Sequence, residues 1–284
     1  MVTTLADVRQ KRRRSRPDGQ LLFALIVLGL FVGMAVLGLF IGRQATSVNV
    51  AQALQAPGAE HWFGTDAQGR DVFARVAVGS GIALVSGTLA VAIGATIGLI
   101  VALLCGLGPR WLDNILVRVS DAILAFPQLL LALAIAMALG SGLTTAVIDI
   151  IVTVFPVFTR TLRAEAMRSK KEPFIEAART IGMSTPRIAV RHVVPYVSTT
   201  LIVQAAANFG QVILILAGLS FIGVGAQPPT PEWGAMITEG LQNALTGQWW
   251  IGVFPGLSLL LVVVAINMLS DQLPKVLSNR GKRN

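Results

Sequence analysis

The sequence predicts an all-α, polytopic integral membrane protein with six transmembrane helices. Three observations predict it. Hydrophobic residues make up 54% of the 284 positions and charged residues only 13%, against about 25% charge in a soluble domain. Mean hydropathy is +0.71, and the apolar residues gather into long runs nearly free of charge, as a lipid-crossing helix requires. The net charge of +9 is confined to alternate connecting segments. The same composition excludes disorder, which needs low hydrophobicity. Cys105 is the single cysteine, so a disulfide framework is excluded. His61 and His192 are the only histidines and lie far apart, so no zinc or other metal site is expected.

Residues 1–20 are polar and basic, with Arg9, Lys11, Arg12, Arg13, Arg14 and Arg16. Residues 21–42 carry no acid or base until Arg43 and are long enough to cross the hydrocarbon core of about 30 Å. The run is too long for a signal core and lacks a cleavage site, so it reads as a retained first helix. Residues 43–78 are polar again, with Gly64 and Gly69 bracketing a turn. There Thr65 or Asp66 can cap a following helix.

Residues 79–271 hold five further crossings. The second run, 79–107, has Gly87, Gly94 and Gly98, which allow close helix packing in lipid. The third, 121–139, contains Pro127 within its first two turns, where a missing amide costs least. Gly140-Ser141-Gly142 makes a turn. The fourth run, 143–159, contains Asp149 and ends near Pro156. The fifth covers 196–224. A loop with Pro228, Pro229 and Pro231 follows, then a helix capped by Thr230 and running from Pro231 to about Leu245. The sixth run, 249–269, starts with Trp249 and Trp250, placed as aromatic anchors at an interface. Residues 272–284 form a basic tail.

Six crossings put both termini on one side. Twenty of the 23 Lys and Arg residues lie in 1–20, 107–121, 160–196 and 272–284. Three lie in 43–78, and none in 140–145 or 225–248. The positive-inside rule makes the richer side cytoplasmic. Topology therefore accounts for the basic excess, and no nucleic-acid partner is expected.

Residues 160–195 form the most charged internal segment. Pro173 suits a first helical position and Gly182 a left-handed C-terminal residue. Ser184 or Thr185 can cap a second short helix starting near Pro186. In the first short helix Phe174, Ala177, Ala178 and Ile181 recur at helical spacing as one apolar face. Such a face either docks into a partner's groove or folds back on its own bundle.

Glu176-Ala177-Ala178, Gly182 and Pro195, with His192 between, resemble the EAA loop of ABC-transporter permeases in the peptide and nickel branch. Gly64-Thr65-Asp66-Ala67-Gln68-Gly69-Arg70-Asp71-Val72, Asp121 with Phe126-Pro127, and Gln227 through Met236 are similar to that branch in the same order. The resemblance covers about residues 15–275. It implies the ABC importer type I permease fold of a C-type subunit in a bacterial inner membrane, and half of a translocation pathway for di- or oligopeptides. Nickel, glutathione or antimicrobial-peptide cargo is the alternative within the branch. It also implies a second permease, two ATP-binding subunits that hold ATP and Mg, and a periplasmic or lipid-anchored substrate-binding protein. Glu176, Ala177, Ala178, Gly182, His192 and Pro195 would then form the ATPase-coupling loop.

Gly281-Lys282 is the only Gly-Lys pair, so there is no phosphate-binding loop of the Walker type. No nucleophile, base and acid set suggests a catalytic residue either. Thr200, Gln204, Asn208 and Gln211 share one face of the fifth run. They line a pathway or bond between helices. Asp149 binds a cargo amine or a proton, or lies near the outer interface or beside a buried partner; a proton-coupled secondary transporter is the competing function. Arg70 and Asp71, and Glu232 and Trp233 in the second outer loop, are candidate contacts for the binding protein. The bland alternative for Arg70, Asp71 and Arg75 is a cap with an ion pair.

Overall fold

The computed structural model describes residues 19–281, with side chains through Pro274. The basic residues 1–18, and Lys282 and Arg283 of the tail, lie outside the described residues. Helices are α1 (Gly19–Thr46), α2 (Val72–Leu107), α3 (Arg110–Ala125), α4 (Gln128–Leu139), α5 (Leu143–Ser169), α6 (Pro173–Thr180), α7 (Thr185–Ile188), α8 (Val194–Phe221), α9 (Trp233–Ala244) and α10 (Trp250–Gly281). Among the described residues there is no β-strand, only an isolated bridge between Thr65 and Asp71.

Five helical segments are long and apolar enough to cross a bilayer, the fourth of them combining α7 and α8. The third crossing departs from its sequence reading. The run 121–139 is not one helix; α3 and α4 meet at 97°. The cause is local. Pro127 disfavours the helical conformation for the residue before it, and Phe126 is extended, with ψ of 134°. At 12 residues, α4 spans about 18 Å, too short to cross alone. The pair nevertheless carries the chain across. It leaves α2 where Gly106 abuts Ala166 near the end of α5. It ends where the Gly142 amide donates to the Val224 carbonyl at 3.1 Å, beyond the opposite end of α8. There are thus six crossings, and Gln272 of α10 donates to Gln20 of α1 at 3.5 Å. The start of α1 and the Gln272 region of α10 therefore share the end of the bundle that carries α6, the loop end. The other end, with α9, is the cap end.

Other boundaries also move. The second crossing starts at Val72, not Gly79, and its cap is Asp71, whose carboxylate accepts from the Ala74 amide at 2.7 Å, rather than Thr65 or Asp66. The fourth does not end near Pro156; α5 continues through that proline to Ser169. α9 starts at Trp233, two residues after Pro231, and Glu232 rather than Thr230 caps it. Trp250 is buried in the core and donates to the Thr65 carbonyl at 3.0 Å; Trp249 alone stays exposed as an anchor.

The most extensive helix contact is α2 against α5. Gly94, Gly98 and Gly106, four and eight residues apart, line it with Ala102. A Cβ on Gly98 would sit 2.5 Å from the Phe158 Cβ and 2.8 Å from the Phe155 carbonyl, and one on Gly106 would sit 2.6 Å from the Ala166 Cβ. Lipid tails are as apolar as Leu, so close backbone approach and dispersion, not the hydrophobic effect, hold such helices together. Gly98→Ala should therefore cost about 1–3 kcal/mol through overpacking. Gly33 in α1 has nothing within 4 Å of its would-be Cβ, so Gly33→Ala should leave stability unchanged or raise it by about 0.5–1 kcal/mol. Denaturation of the purified protein in detergent micelles checks both.

Candidate functional site

The loop between α5 and α8 is built by local rules. Glu172 is extended and Pro173 opens α6, where its missing amide has no intrahelical partner to lose. Gly182 takes φ of +77°. Its amide donates to the Arg179 carbonyl at 2.9 Å, and the next amide, of Met183, reaches back to Ala178 at 3.0 Å. This is the two-bond Schellman stop, which needs a left-handed residue at Gly182.

The expected apolar face of α6 is split. Ile175 and Ala178 are buried and join the core with Ile188, Val193 and Val197. Phe174, Ala177 and Ile181 remain exposed, Ile181 at 77%. Ile175, absent from the expected face, supplies the inward anchor, three residues before Ala178. Glu176 and Arg179 flank the outward apolar groups and are exposed.

The second short helix does not stand apart. α7 runs through a π turn, Ala189–Val193, directly into α8. Pro195 lacks the amide that would bond to the Arg191 carbonyl and its ring crowds that carbonyl, so the helix widens there. The Val194 amide accordingly donates five residues back, to Ala189. His192 lies beside Phe174, with ring centroids 6.1 Å apart, and its Nε2 is buried without a partner.

The polar stripe of α8 divides between its two expected roles. Gln204 donates to the Val157 carbonyl of α5 at 3.2 Å, bracing the two helices. Asn208 donates to the Gln204 carbonyl at 2.8 Å. Asn208 and Gln211 line a groove of about 390 Å³ with Gln128 of α4 and Thr153 of α5. Asp149 lies six residues into α5, toward its cap end, and is only 1% exposed. Neither of its carboxylate oxygens has a hydrogen-bond partner.

At the cap end, three of the four candidate contacts are sequestered. Arg70, Glu232 and Trp233 are at most 1% exposed, so their side chains cannot meet a docked protein on this surface. Arg70 Nε donates to Asp66 at 2.6 Å, and its Nη2 donates to Glu239 at 3.1 and 3.2 Å. Arg75 Nη1 also meets Asp66, and Glu239 at 3.0 Å. Two cations and two anions thus close a neutral, buried cluster. Asp71, capping α2, holds His61 Nδ1 at 2.8 Å. Trp233 donates to the Val76 carbonyl at 3.2 Å, and its indole fills the space left by Gly79. Burial raises the pKa of the Glu232 carboxyl, against the lowering effect of hydrogen bonds from the Gly234 and Ala235 amides and Ser220. The structure thus favours the cap and ion-pair reading for this turn. Glu239 was missed as its partner, being 169 residues from Arg70; its one sequence signal is that it is an acid on a segment without Lys or Arg.

The chain is thus a bundle of six crossings with an exposed amphipathic helix at one end and a charge-locked cap at the other, an architecture suited to a membrane permease subunit. Residues 94–283 match the family described as binding-protein-dependent transport system inner membrane component, and the chain belongs to that family. It is 37% identical over 281 residues to the dipeptide transport system permease protein DppC of Alkalihalophilus pseudofirmus, covering 99% of this chain and 92% of the relative. It is 42% identical over 226 residues to the glutathione transport system permease protein GsiD of Escherichia coli, covering 80% and 74%. In fold it is similar to a chain of the inward-facing MetNI methionine ABC transporter, with a TM-score of 0.56 and 17% identity over 71% of this chain and 95% of that one. Membership in this family favours the ATP-driven reading over proton-coupled transport.

Removing one member of the buried cluster leaves the others uncompensated. Arg70→Met should therefore cost about 3–5 kcal/mol, read as a lowered midpoint of thermal unfolding. Arg160→Met, which breaks the exposed pair with Asp121, should shift that midpoint little, since exposed pairs contribute about 0–1 kcal/mol.

Proposed function

We propose that this chain is one of two unlike permease halves of an importer for di- or oligopeptides, with the loop end in the cytoplasm. The observation that carries the reading is α6. It is fixed to the bundle by Ile175 and Ala178 and stopped by Gly182, and it presents Phe174, Ala177 and Ile181 outward. A rigid helix with a bare apolar face and flanking charges is suited to a partner's groove. Separate ATPase subunits that bind ATP and Mg supply the energy there. The Lys and Arg distribution supports the orientation, and the names of the two relatives, one for dipeptide and one for glutathione, support a small peptide as cargo. A substrate-binding protein delivers it at the cap end, to exposed groups such as Leu241 and Leu245 of the α9 segment rather than to Arg70, Glu232 or Trp233.

Orientation is read by thiol labelling. Leu245 is 98% exposed, so in a Cys105→Ala background a cysteine replacing it should react with an impermeant maleimide in intact spheroplasts. A cysteine replacing Ile181 should react only after permeabilisation. The reverse pattern overturns the orientation.

Coupling is read by two substitutions. A Cβ on Gly182 would meet nothing within 4 Å, so Gly182→Val acts through backbone strain alone, about 1–2 kcal/mol. It should turn α6 while leaving the crossings inserted. Glu176→Lys reverses a charge on the exposed side. Both proteins should reach the membrane at normal abundance, retain less ATPase on purification and lose peptide uptake. Normal uptake by both removes α6 as the coupling element.

A further inference from the structure

Asp149 is the one acid inside the α5 crossing that no role above absorbs. It is buried at 1% exposure, and both carboxylate oxygens lack a partner. Partnerless burial of an ionisable group in a membrane helix is costly, and such residues mark ligand or ion sites unless a partner offsets them. The groove continues the same face of α5. Thr153, one helical turn further along α5, lines it and donates to the Asp149 carbonyl at 3.0 Å. Residues four apart share a helix face, so Asp149 stands one turn toward the cap end from the groove wall. Asn208, Gln211 and Gln128 complete that wall with uncharged polar groups. No Lys or Arg occurs between Arg118 and Arg160 or between Arg191 and Lys275, so α4 and α8, packed on either side of the groove, bring no countercharge.

We infer that the Asp149 carboxylate and the Thr153–Asn208–Gln211 groove form a subsite for the primary ammonium group of the cargo as it crosses. The inference rests on the peptide reading above. A carboxylate accepts the three N–H donors of an ammonium by charge-assisted hydrogen bonds. The amides and hydroxyl beside it can accept from or donate to the cargo's peptide bond. Placing the anion beyond the groove toward the cap end lets cargo arriving amine-first meet it before the uncharged wall. The carboxylate is closed off in the structure described, and the conformation that opens the pathway to the cap end uncovers it.

The test uses the complete transporter, both permeases with ATPases and binding protein, in proteoliposomes. Two cargoes are supplied at concentrations that saturate the binding protein: Ala-Ala, and 2-hydroxypropanoyl-alanine, in which a hydroxyl replaces the amine. Asp149→Asn should lower Ala-Ala uptake about tenfold or more, the size expected for losing a hydrogen bond to a charged group. Uptake of the hydroxyl analogue, binding-protein-stimulated ATP hydrolysis and recovery of the second permease should stay within about twofold of wild type. Asp149→Glu should restore part of the Ala-Ala rate, and Asp149→Ser repeats the test if the Asn variant is poorly inserted. Equal losses on both cargoes, or no loss on either, overturn the inference. Loss of the second permease on purification also overturns it, in favour of an ion pair between permeases. Wild-type transporter that imports neither Ala-Ala nor longer alanine peptides nor glutathione sinks the peptide reading itself, and the ammonium subsite with it.

Discussion

The fold depends on how closely α5 can approach α2. In lipid, apolar side chains gain little by leaving their surroundings, so helices associate where backbones come near enough for dense van der Waals contact. Gly94, Gly98 and Gly106 provide that approach, and the Thr159 hydroxyl reaches the Gly98 carbonyl at 3.4 Å. Once α5 is seated, its other groups fall into place. Arg163 grips Asp113 of α3 at 2.6 and 2.7 Å, Val157 receives Gln204 of α8, and Ser169 delivers the chain to α6. The seam therefore sets where the coupling helix sits and how wide the groove beside Thr153 is.

The parts of this arrangement that obey local or one-dimensional rules were legible in the sequence. Crossings show as charge-free runs because lipid cannot solvate charge. Gly182 was legible because a helix stop with positive φ selects glycine almost regardless of tertiary context. Pro173 was legible because an N-terminal proline loses no bond. Boundaries were less so. The start of α2 moved seven residues because Arg75 makes Val72–Val78 read as part of the polar segment, and the cap that decides it, Asp71, was one of three acids and hydroxyls able to serve.

The rest was set by contacts between distant residues. Pro127 fits both an early helical position and a break, and sequence alone does not choose. Asp113 and Asp121 of α3 pair with Arg163 and Arg160 of α5. The corner itself is local, made at Phe126 before Pro127, while the Asp113–Arg163 pair orients α3 against α5. Likewise the Gly64–Val72 segment looks like an exposed, charged surface in sequence. Its Arg70, with Arg75 just beyond it, is balanced by Asp66 and by Glu239, brought in when α9 lays Trp233 against Val76. A polar segment near a membrane surface is thus not necessarily a solvated one, and reading Arg70, Glu232 and Trp233 as docking groups failed for that reason.

The two ends of the bundle consequently differ in what they can transmit. The cap end is cross-linked by a four-charge cluster and by indole hydrogen bonds from Trp233 and Trp250 to backbone carbonyls on the 65–76 segment. Elements joined this way move together. The loop end is joined differently. α6 rests on two apolar side chains, and its exit through α7 contains a π turn, a helix defect that can change register at low cost because Pro195 has no amide to give to the regular ladder. Since α7 is continuous with α8, a displacement of α6 acts directly on the helix that carries Gln204, Asn208 and Gln211. Gln204 ties that helix to α5 through one hydrogen bond to a main-chain carbonyl, with its own Oε1 left unpaired, a contact cheaper to exchange than the ion-paired cap. Motion delivered at α6 is therefore expressed as a shift of α8 against α5, and the groove between them is the element that changes shape.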